Sequence, residues 1–580
     1  MTFSENSKIG ELWDNAEARS ILLKYIPSLA EAPHLLFFPK MQTLPMYVLS
    51  NQRSLAWPEG KLQSVLAELS VIPQQEVDQV ENDIPLKPIS DCVEDGSVVL
   101  TAPASVEKWG VFEIELQTIS SGNPYLEVTL SAEFVKGDRK IAPLGFYDGD
   151  GVYRIRFMPP EVGIWTFQTL SSSHSLNGIE GQVECTPPLP NNHGPVRVKN
   201  TFHFAYEDGS PYIPVGTTSY AWIHQGNQLE EQTLHTLSTS PFNKLRMCVF
   251  PKSYLYNTNE PQYYPFEGSL DQGWDYTRFN PEFFRHLEQR ICDLGELGIE
   301  ADLILFHSYD RWGFAEMSQS EDDRYLRYIV ARLAAYRHVW WSLANEYDFM
   351  WAKNLDDWER FAGIVTENDP YHHLISNHNG VSFYDFNKPW VTHCSIQRID
   401  VYKTVEATNQ WREQWQKPVV IDECAYEGDI DQGWGNITGE EMVRRFWEGA
   451  IRGGYVGHGE TYLNPEEILW WAKGGELHGS SPARIAFLRS VMEAGPAEGL
   501  NPLHSDWDLP CAGVEDEYYL FYFGFNQPKF RIFNMKPGIS YKVELLDTWN
   551  MTIQELDERY EGSFRIDLPA KPYMAVRMTK

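Results

Sequence analysis

The chain has 580 residues, 42% of them hydrophobic and 22% charged, the composition of a soluble globular protein large enough for several cores. Its 81 acidic residues against 48 basic ones leave a formal net charge of -33, which argues against phosphate backbones and anionic lipid surfaces as partners. Aromatic residues reach 14%, material for cores and for stacking on the apolar faces of sugars.

The opening stretch MTFSENSKIGELWDN lacks a basic region followed by an apolar one and does not read as a secretory signal. No apolar run approaches the roughly 18 residues of a membrane span. The seven cysteines (Cys92, Cys185, Cys248, Cys292, Cys394, Cys424, Cys511) are odd in number and scattered, with no CxxC pair. That pattern predicts free thiols in a reducing cytoplasm rather than a disulfide framework or structural zinc. An enzyme in that setting is expected to act on small imported molecules. Residues 8–72 read as a small helical unit: Ile9, Leu12, Trp13, Ala16, Ile21, Leu22 and Tyr25 follow helical spacing, and a further helix fits Pro58 to Leu69. Within a helical region taken as 1–72, these are the periodic parts; residues 73–95 are acidic, aperiodic and linker-like.

Residues 96–190 change to short alternating runs (VFEIELQ, YLEVTLSAEF, VYRIRFMP, IWTFQTL) separated by Gly, Pro, Asn and Asp turns, which predicts an immunoglobulin-like β-sandwich. From 191 to 495 strand and helix alternate. Strands are expected at Tyr212–Gly216, Lys244–Val249, Ala301–Phe306, Val339–Leu343, Leu374–Ser376, Val391–Ile396, Val419–Asp422 and Tyr455–Gly457. Eight such units fit a (β/α)8 TIM barrel, and no glycine-rich phosphate turn favours a doubly wound sheet. Residues 496–580 return to alternating runs and predict a C-terminal β-sandwich. The whole is thus a multidomain α/β chain with a barrel between two β-domains.

Two segments carry chemistry. In VWWSLANEYDFM an apolar strand ends at Asn345-Glu346, and in KPVVIDECAYEGD another ends at Asp422-Glu423. These are the fourth and seventh strands, and the C-terminal ends of barrel strands form the active face. Two carboxylates facing one cleft suit glycosidic cleavage, one protonated to serve the leaving oxygen and the other ionised. The bland alternative is a pair of structural salt bridges. Trp222 and His224 follow the first strand, and Trp470 and Trp471 the eighth; a barrel-top position makes all four candidate sugar contacts. Trp274 and Trp312 are weaker candidates for outer subsites. His372, His373, His378 and His393 do not form a convincing metal set: the adjacent pair diverges and no HExxH motif occurs. Neither a metal nor a cofactor is expected. Rival classes are a non-catalytic carbohydrate-binding or assembly protein and a metal-dependent hydrolase.

On these stretches, together with GFYDGDGVYRIRFMPPEVGIWTF, YIPVGTTSYAWIHQ and LHGSSPARIAFLR, the chain from about 96 to 580 resembles the retaining glycoside hydrolases of clan A, and within them the apiosidase-like barrels. The resemblance implies Glu346 as acid/base, Glu423 as nucleophile and Asn345 as the residue that bonds the sugar's 2-hydroxyl. It implies Arg246 as support for the nucleophile's charge and His307 as a subsite residue. The tyrosine that touches the nucleophile in that clan has two candidates here, Tyr402 and Tyr426. The expected activity is cleavage of O-glycosidic bonds in oligosaccharides or glycoconjugates, retaining and exo-acting, with carbohydrate as partner and self-association into a homo-oligomer left open.

Overall fold

The computed structural model describes residues 2–4, 6–25, 61–72, 97–398, 400 and 403–580. The expected linker, Cys92, Tyr402 and the start of the helix expected from Pro58 lie outside the described residues.

The N-terminal helical stretch is two helices, Ile9–Asp14 and Ala16–Tyr25, where the periodicity suggested one. Asn15 breaks it: its Oδ1 accepts from the backbone N–H groups of Glu17 (3.1 Å) and Ala18 (3.0 Å), the bonding of an N-cap. With Lys61–Leu69 these helices enclose a small core of Leu12, Ala18, Leu22, Val65 and Leu69. Ile9 leaves that core for the main one. Asn6 ties the unit to the barrel through the side chain of Asp356 (3.2 Å) and the backbone of Leu355 (3.3 Å).

Two sheets follow. One orders Val99–Thr101, Phe112–Gln117, Val152–Phe157 and Gly145–Tyr147; the other orders Ser105–Glu107, Glu180–Thr186, Gly163–Ser171, Leu130–Lys136 and Arg139–Ile141. Period-two alternation buries Phe112, Ile114 and Leu116 and leaves Glu113 and Glu115 partly exposed. Rings from both sheets meet, Phe134 stacking on Phe157 at 3.9 Å and Trp165 standing against Phe157.

The barrel is an eight-stranded parallel sheet: β1 Gly216–Thr218, β2 Lys244–Cys248, β3 Glu300–His307, β4 Val339–Asn345, β5 Ile375–Ser376, β6 Cys394–Gln397, β7 Val419–Glu423 and β8 Tyr455–His458. The ladder runs β5-β4-β3-β2-β1-β8-β7-β6. β5 and β6 do not pair as strands. Their seam is held by Thr392 N to the Ile375 carbonyl (2.9 Å), Ser376 Oγ to the His393 carbonyl (2.6 Å) and a two-way bond between Asn379 and Gln397. Helices follow every strand except β5. β1 lies C-terminal to its expected place because Pro211–Tyr212 belongs to an antiparallel sheet with Val196–Lys199 and His203–Tyr206. Phe204 and Tyr212 of that sheet pack against Trp340 at the barrel's N-terminal end.

A charge cluster fastens the first β-domain to the barrel. Arg156 bonds both carboxylate oxygens of Glu288 (2.7 and 3.0 Å); Arg332 bonds Glu288 (2.5 and 3.0 Å) and Asp148 (2.8 Å), all four residues being buried. C-terminally, a six-stranded sheet (Asn501–Leu503, Cys511–Val514, Tyr518–Tyr522, Met574–Thr579, Ser540–Asp547, Thr552–Glu561) shares a core with the two-stranded antiparallel sheet Phe530–Asn534/Ser563–Asp567. It docks by stacking Tyr522 on Trp447 of helix Gly439–Ile451.

Candidate active site

Glu346 and Glu423 line one cavity of about 670 Å³ at the C-terminal ends of the barrel strands. β4 ends at Asn345 and turns through Glu346, whose φ of 56° lies in the left-handed region; β7 ends on Glu423, and Ala425 turns at φ 69°. A non-glycine residue held there costs roughly 1–3 kcal/mol, strain that clusters where a side chain must be aimed.

Oε1 of Glu346 accepts from Gln397 Nε2 (2.9 Å); Oε2 accepts from Asn345 Nδ2 (3.2 Å) and from the Tyr309 hydroxyl. Burial and the facing Glu423 carboxylate push Glu346 up to about 7, against the pull of Tyr309, Lys252 and Gln397. Glu423 accepts from the Tyr220 hydroxyl, which also stands 3.0 Å from Asn345 Oδ1. Tyr426 faces the same carboxylate, and burial together with the charge of Glu423 raises its hydroxyl well above the usual phenol range. His378, fully buried, brings Nε2 to 3.9 Å from Glu423, and burial holds it well below the usual imidazole range. Tyr220 is placed by its backbone: its N–H donates to the Trp471 carbonyl (2.9 Å) and its carbonyl accepts from Cys248 (2.8 Å).

Beneath the glutamates lies a buried charge layer. Lys244 bridges Asp302 (2.5 Å) and Asp422 (2.8 Å), and Ser395 Oγ donates to Asp422 (2.5 Å). Burial would raise Asp422, but Lys244 and Arg246 outweigh it and hold the carboxyl far below its ordinary value. Arg246 bonds Ser342 Oγ (3.1 Å), Asn345 Oδ1 (3.2 Å) and Asp302 (3.5 Å), so it orients Asn345 directly and reaches Glu423 only through its field. Asp348 fixes the loop after β5 over the cavity by accepting from the backbone of Gly380 (2.5 Å), Val381 (2.8 Å) and Ser382 (2.8 Å).

Of the residues expected from sequence, Glu346, Glu423, Asn345, Tyr426 and Trp471 line the cavity. Four expected contacts do not. Trp222 is fully buried, its indole N–H on Met247 Sδ (3.3 Å); His224 packs on Phe283; His307 bonds the Phe250 carbonyl (3.2 Å); Trp470 donates to Thr217 Oγ1 (2.9 Å). Trp274 and Trp312 also serve packing and local hydrogen bonds, to the Trp312 carbonyl and to Glu260. Trp340 and Trp341 bond Glu300 and Asp369 and do not line the cavity. A tyrosine hydroxyl that bonds Glu423 comes from Tyr220, beyond β1, which the sequence did not single out. Sequence reasoning also missed Lys252, Tyr254, Tyr309, Gln397 and Trp434, all cavity residues. Gln397 had a signal, since it ends β6 and the strand-end rule applies to it. The others sit on loops, where alternation gives no direction.

One cluster among the described residues has metal-ligand spacing: Glu427, His458 and Glu460, with ligand atoms within 4.8 Å of one another. Its carboxylates already accept backbone N–H groups of residues 478–481, and His458 Nδ1 pairs with Thr217 Oγ1 (2.9 Å), so the set serves to pin the loop after β8.

The model "Apiosidase-like, catalytic domain" matches residues 198–490; two models described as domains of unknown function, DUF5060 and DUF5605, match 105–172 and 507–579. A candidate glycoside hydrolase from Bacteroides vulgatus ATCC 8482 is 40% identical, with 82% of this chain and 100% of that one covered and a TM-score of 0.79. A glycoside hydrolase family 5 structure from the same organism shares the fold at 14% identity, with 68% and 95% covered and a TM-score of 0.55. A structure titled "Glycoside hydrolase" does so at 14% identity, with 68% and 99% covered and a TM-score of 0.53. The comparison with curated proteins gave no match. Fold and matches together define a glycoside hydrolase. The chain belongs to the apiosidase-like family.

Proposed function

We propose that the protein hydrolyses O-glycosidic bonds of oligosaccharides or glycoconjugates with retention of anomeric configuration. The observation that carries this is the pairing of two unlike glutamates in one cavity. Glu346 is raised to about 7 by burial and by Glu423, while Glu423 lies beside a hydroxyl donor and above a cationic arginine.

In this reading an oxygen of Glu423 attacks the anomeric carbon as the bond to the leaving oxygen breaks, and Glu346 gives that oxygen its proton. The product is a glycosyl ester on Glu423. Forming the ester removes the negative charge facing Glu346, which eases its ionisation. Ionised Glu346 then takes a proton from water, the water oxygen attacks the anomeric carbon, and Glu423 departs as carboxylate. Asn345, held by Arg246, is oriented to bond a sugar hydroxyl beside the anomeric carbon. Trp471 and Trp434, with ring centres 4.9 Å apart, supply an aromatic wall for the sugar.

Exo action on small imported substrates in the cytoplasm is part of the same proposal, supported by the scattered free thiols. A panel of aryl pentosides and hexosides, with the first-formed anomer followed by NMR, tests the reading. Release of the same anomer as the substrate is expected; first release of the opposite anomer would remove the double displacement.

A further inference from the structure

Lys252, in the loop after β2, lines the cavity and is only 5% exposed. Its ammonium lies 3.5 Å from the ring centre of Tyr220, 4.3 Å from that of Tyr309 and 5.4 Å from that of Trp471. The loop is pinned around it: Asn257 Nδ2 donates to the Lys252 carbonyl (2.5 Å), and Ser253 N–H to the Tyr309 carbonyl (2.8 Å). The other buried lysines are satisfied, Lys244 by two aspartates and Lys353 by Asp322 and a carbonyl. Lys252 differs. Among the described residues no carboxylate oxygen lies within 4.0 Å of its nitrogen, and no acceptor hydrogen-bonds it. Three ring faces give cation–π attraction but no acceptor for its N–H donors. A buried charge kept this way is costly unless a ligand completes it.

Its position says which part of a ligand does so. Tyr220 bonds Glu423 and Tyr309 bonds Glu346, and Lys252 rests on both rings. It therefore flanks the sugar whose anomeric carbon would sit between the two carboxyl groups. Charge selects the chemistry. With Glu346 protonated, the lining carries Lys252 and Arg398 against Glu423 and Asp400 and is balanced before a ligand enters. A sugar hydroxyl keeps that balance, whereas a uronate carboxylate adds an uncompensated charge.

We propose that Lys252 is a specificity-determining substrate contact, donating hydrogen bonds to ring hydroxyls of a neutral sugar in the subsite beside Glu423. The proposal rests on the glycosidase reading and narrows its substrate class. The test compares wild type with Lys252→Met and Lys252→Arg on 4-nitrophenyl glycosides, their monodeoxy analogues and the matching uronides. Melting temperatures of the variants establish that they fold, and arginine tests the fold with the charge kept. Lys252→Met is expected to lower kcat/KM roughly 10- to 100-fold on the neutral glycoside. That penalty should vanish selectively on the analogue lacking the contacted hydroxyl, a non-additivity that general damage to the site would not produce. A penalty equal for every deoxy position, no penalty at all, or wild-type preference for the uronide overturns the proposal while leaving the glycosidase standing. Absence of turnover by the wild type on every glycoside overturns both.

Discussion

Tyr220, beyond the end of β1, donates its hydroxyl proton to Glu423 at the end of β7, and in doing so reaches past the intervening β8. The Tyr220→Phe variant keeps the ring on which Lys252 rests and removes only the donor. A hydrogen bond to a charged group is worth about 1.5–3 kcal/mol, so kcat/KM should fall by about 10- to 100-fold. Melting temperature should change little. Unaltered kinetics would mean that the bond plays no part in turnover.

The two glutamates should fail differently. Glu423→Ala should abolish activity, and azide should not restore product of the natural anomer. Glu346→Ala should retain turnover of substrates with activated leaving groups, which need no proton, and lose it on unactivated ones. Normal turnover by both variants would sink the assignment.

The pH profile has a stated sign. In the proposed mechanism Glu346 is protonated in the free enzyme, and it is raised to about 7, so kcat/KM should decline as pH rises through about 7. Among its partners Tyr309 favours the ionised form most strongly. Tyr309→Phe should therefore move the alkaline limb to higher pH, and a shift to lower pH would contradict the hydrogen-bond geometry.

Stability carries a separate pH signature at the opposite end of the barrel. Glu300 is fully buried with the Trp340 indole on Oε2, and burial raises it from 4.5 to about 8. A carboxyl raised on folding contributes stability that is complete below its unfolded value and is lost as pH rises through its folded one. Unfolding free energy should thus decline between pH 4.5 and 8, and Glu300→Gln should flatten that decline by a few kcal/mol. Denaturant melts at several pH values read it directly.

The barrel was legible because strand and helix periods alternate, and the glutamates because each ends an apolar strand. β1 was misplaced because Tyr212 reads as strand, which it is, though in another sheet. The cavity wall was less legible for a geometric reason. Trp470 and Trp471 are neighbours in one short helix, Trp470–Lys473, so their side chains diverge: one bonds Thr217 and the other faces the cavity. Composition cannot tell which of two adjacent tryptophans is which. Lys252, Tyr254 and Trp434 come from loops whose course depends on contacts distant in sequence. Among loop residues Lys252 is the most informative and the least conspicuous, a single basic residue in VFPKSYLY.

The Arg156–Glu288–Arg332–Asp148 cluster takes two of its members from each side of the junction between the first β-domain and the barrel. A barrel cut free at its N-terminal boundary would keep Glu288 and Arg332 but lose both the guanidinium and the carboxylate that complete them. A foreign domain seated on the same face would bury Glu288 and Arg332 without those partners, and an uncompensated buried charge costs about 3–5 kcal/mol, a large share of the stability of an ordinary domain. The two domains are therefore not interchangeable modules. A hybrid that joins this barrel to a foreign sandwich would need to import Asp148 and Arg156 with it, and the β-domain is better regarded as the barrel's outer shell than as an accessory.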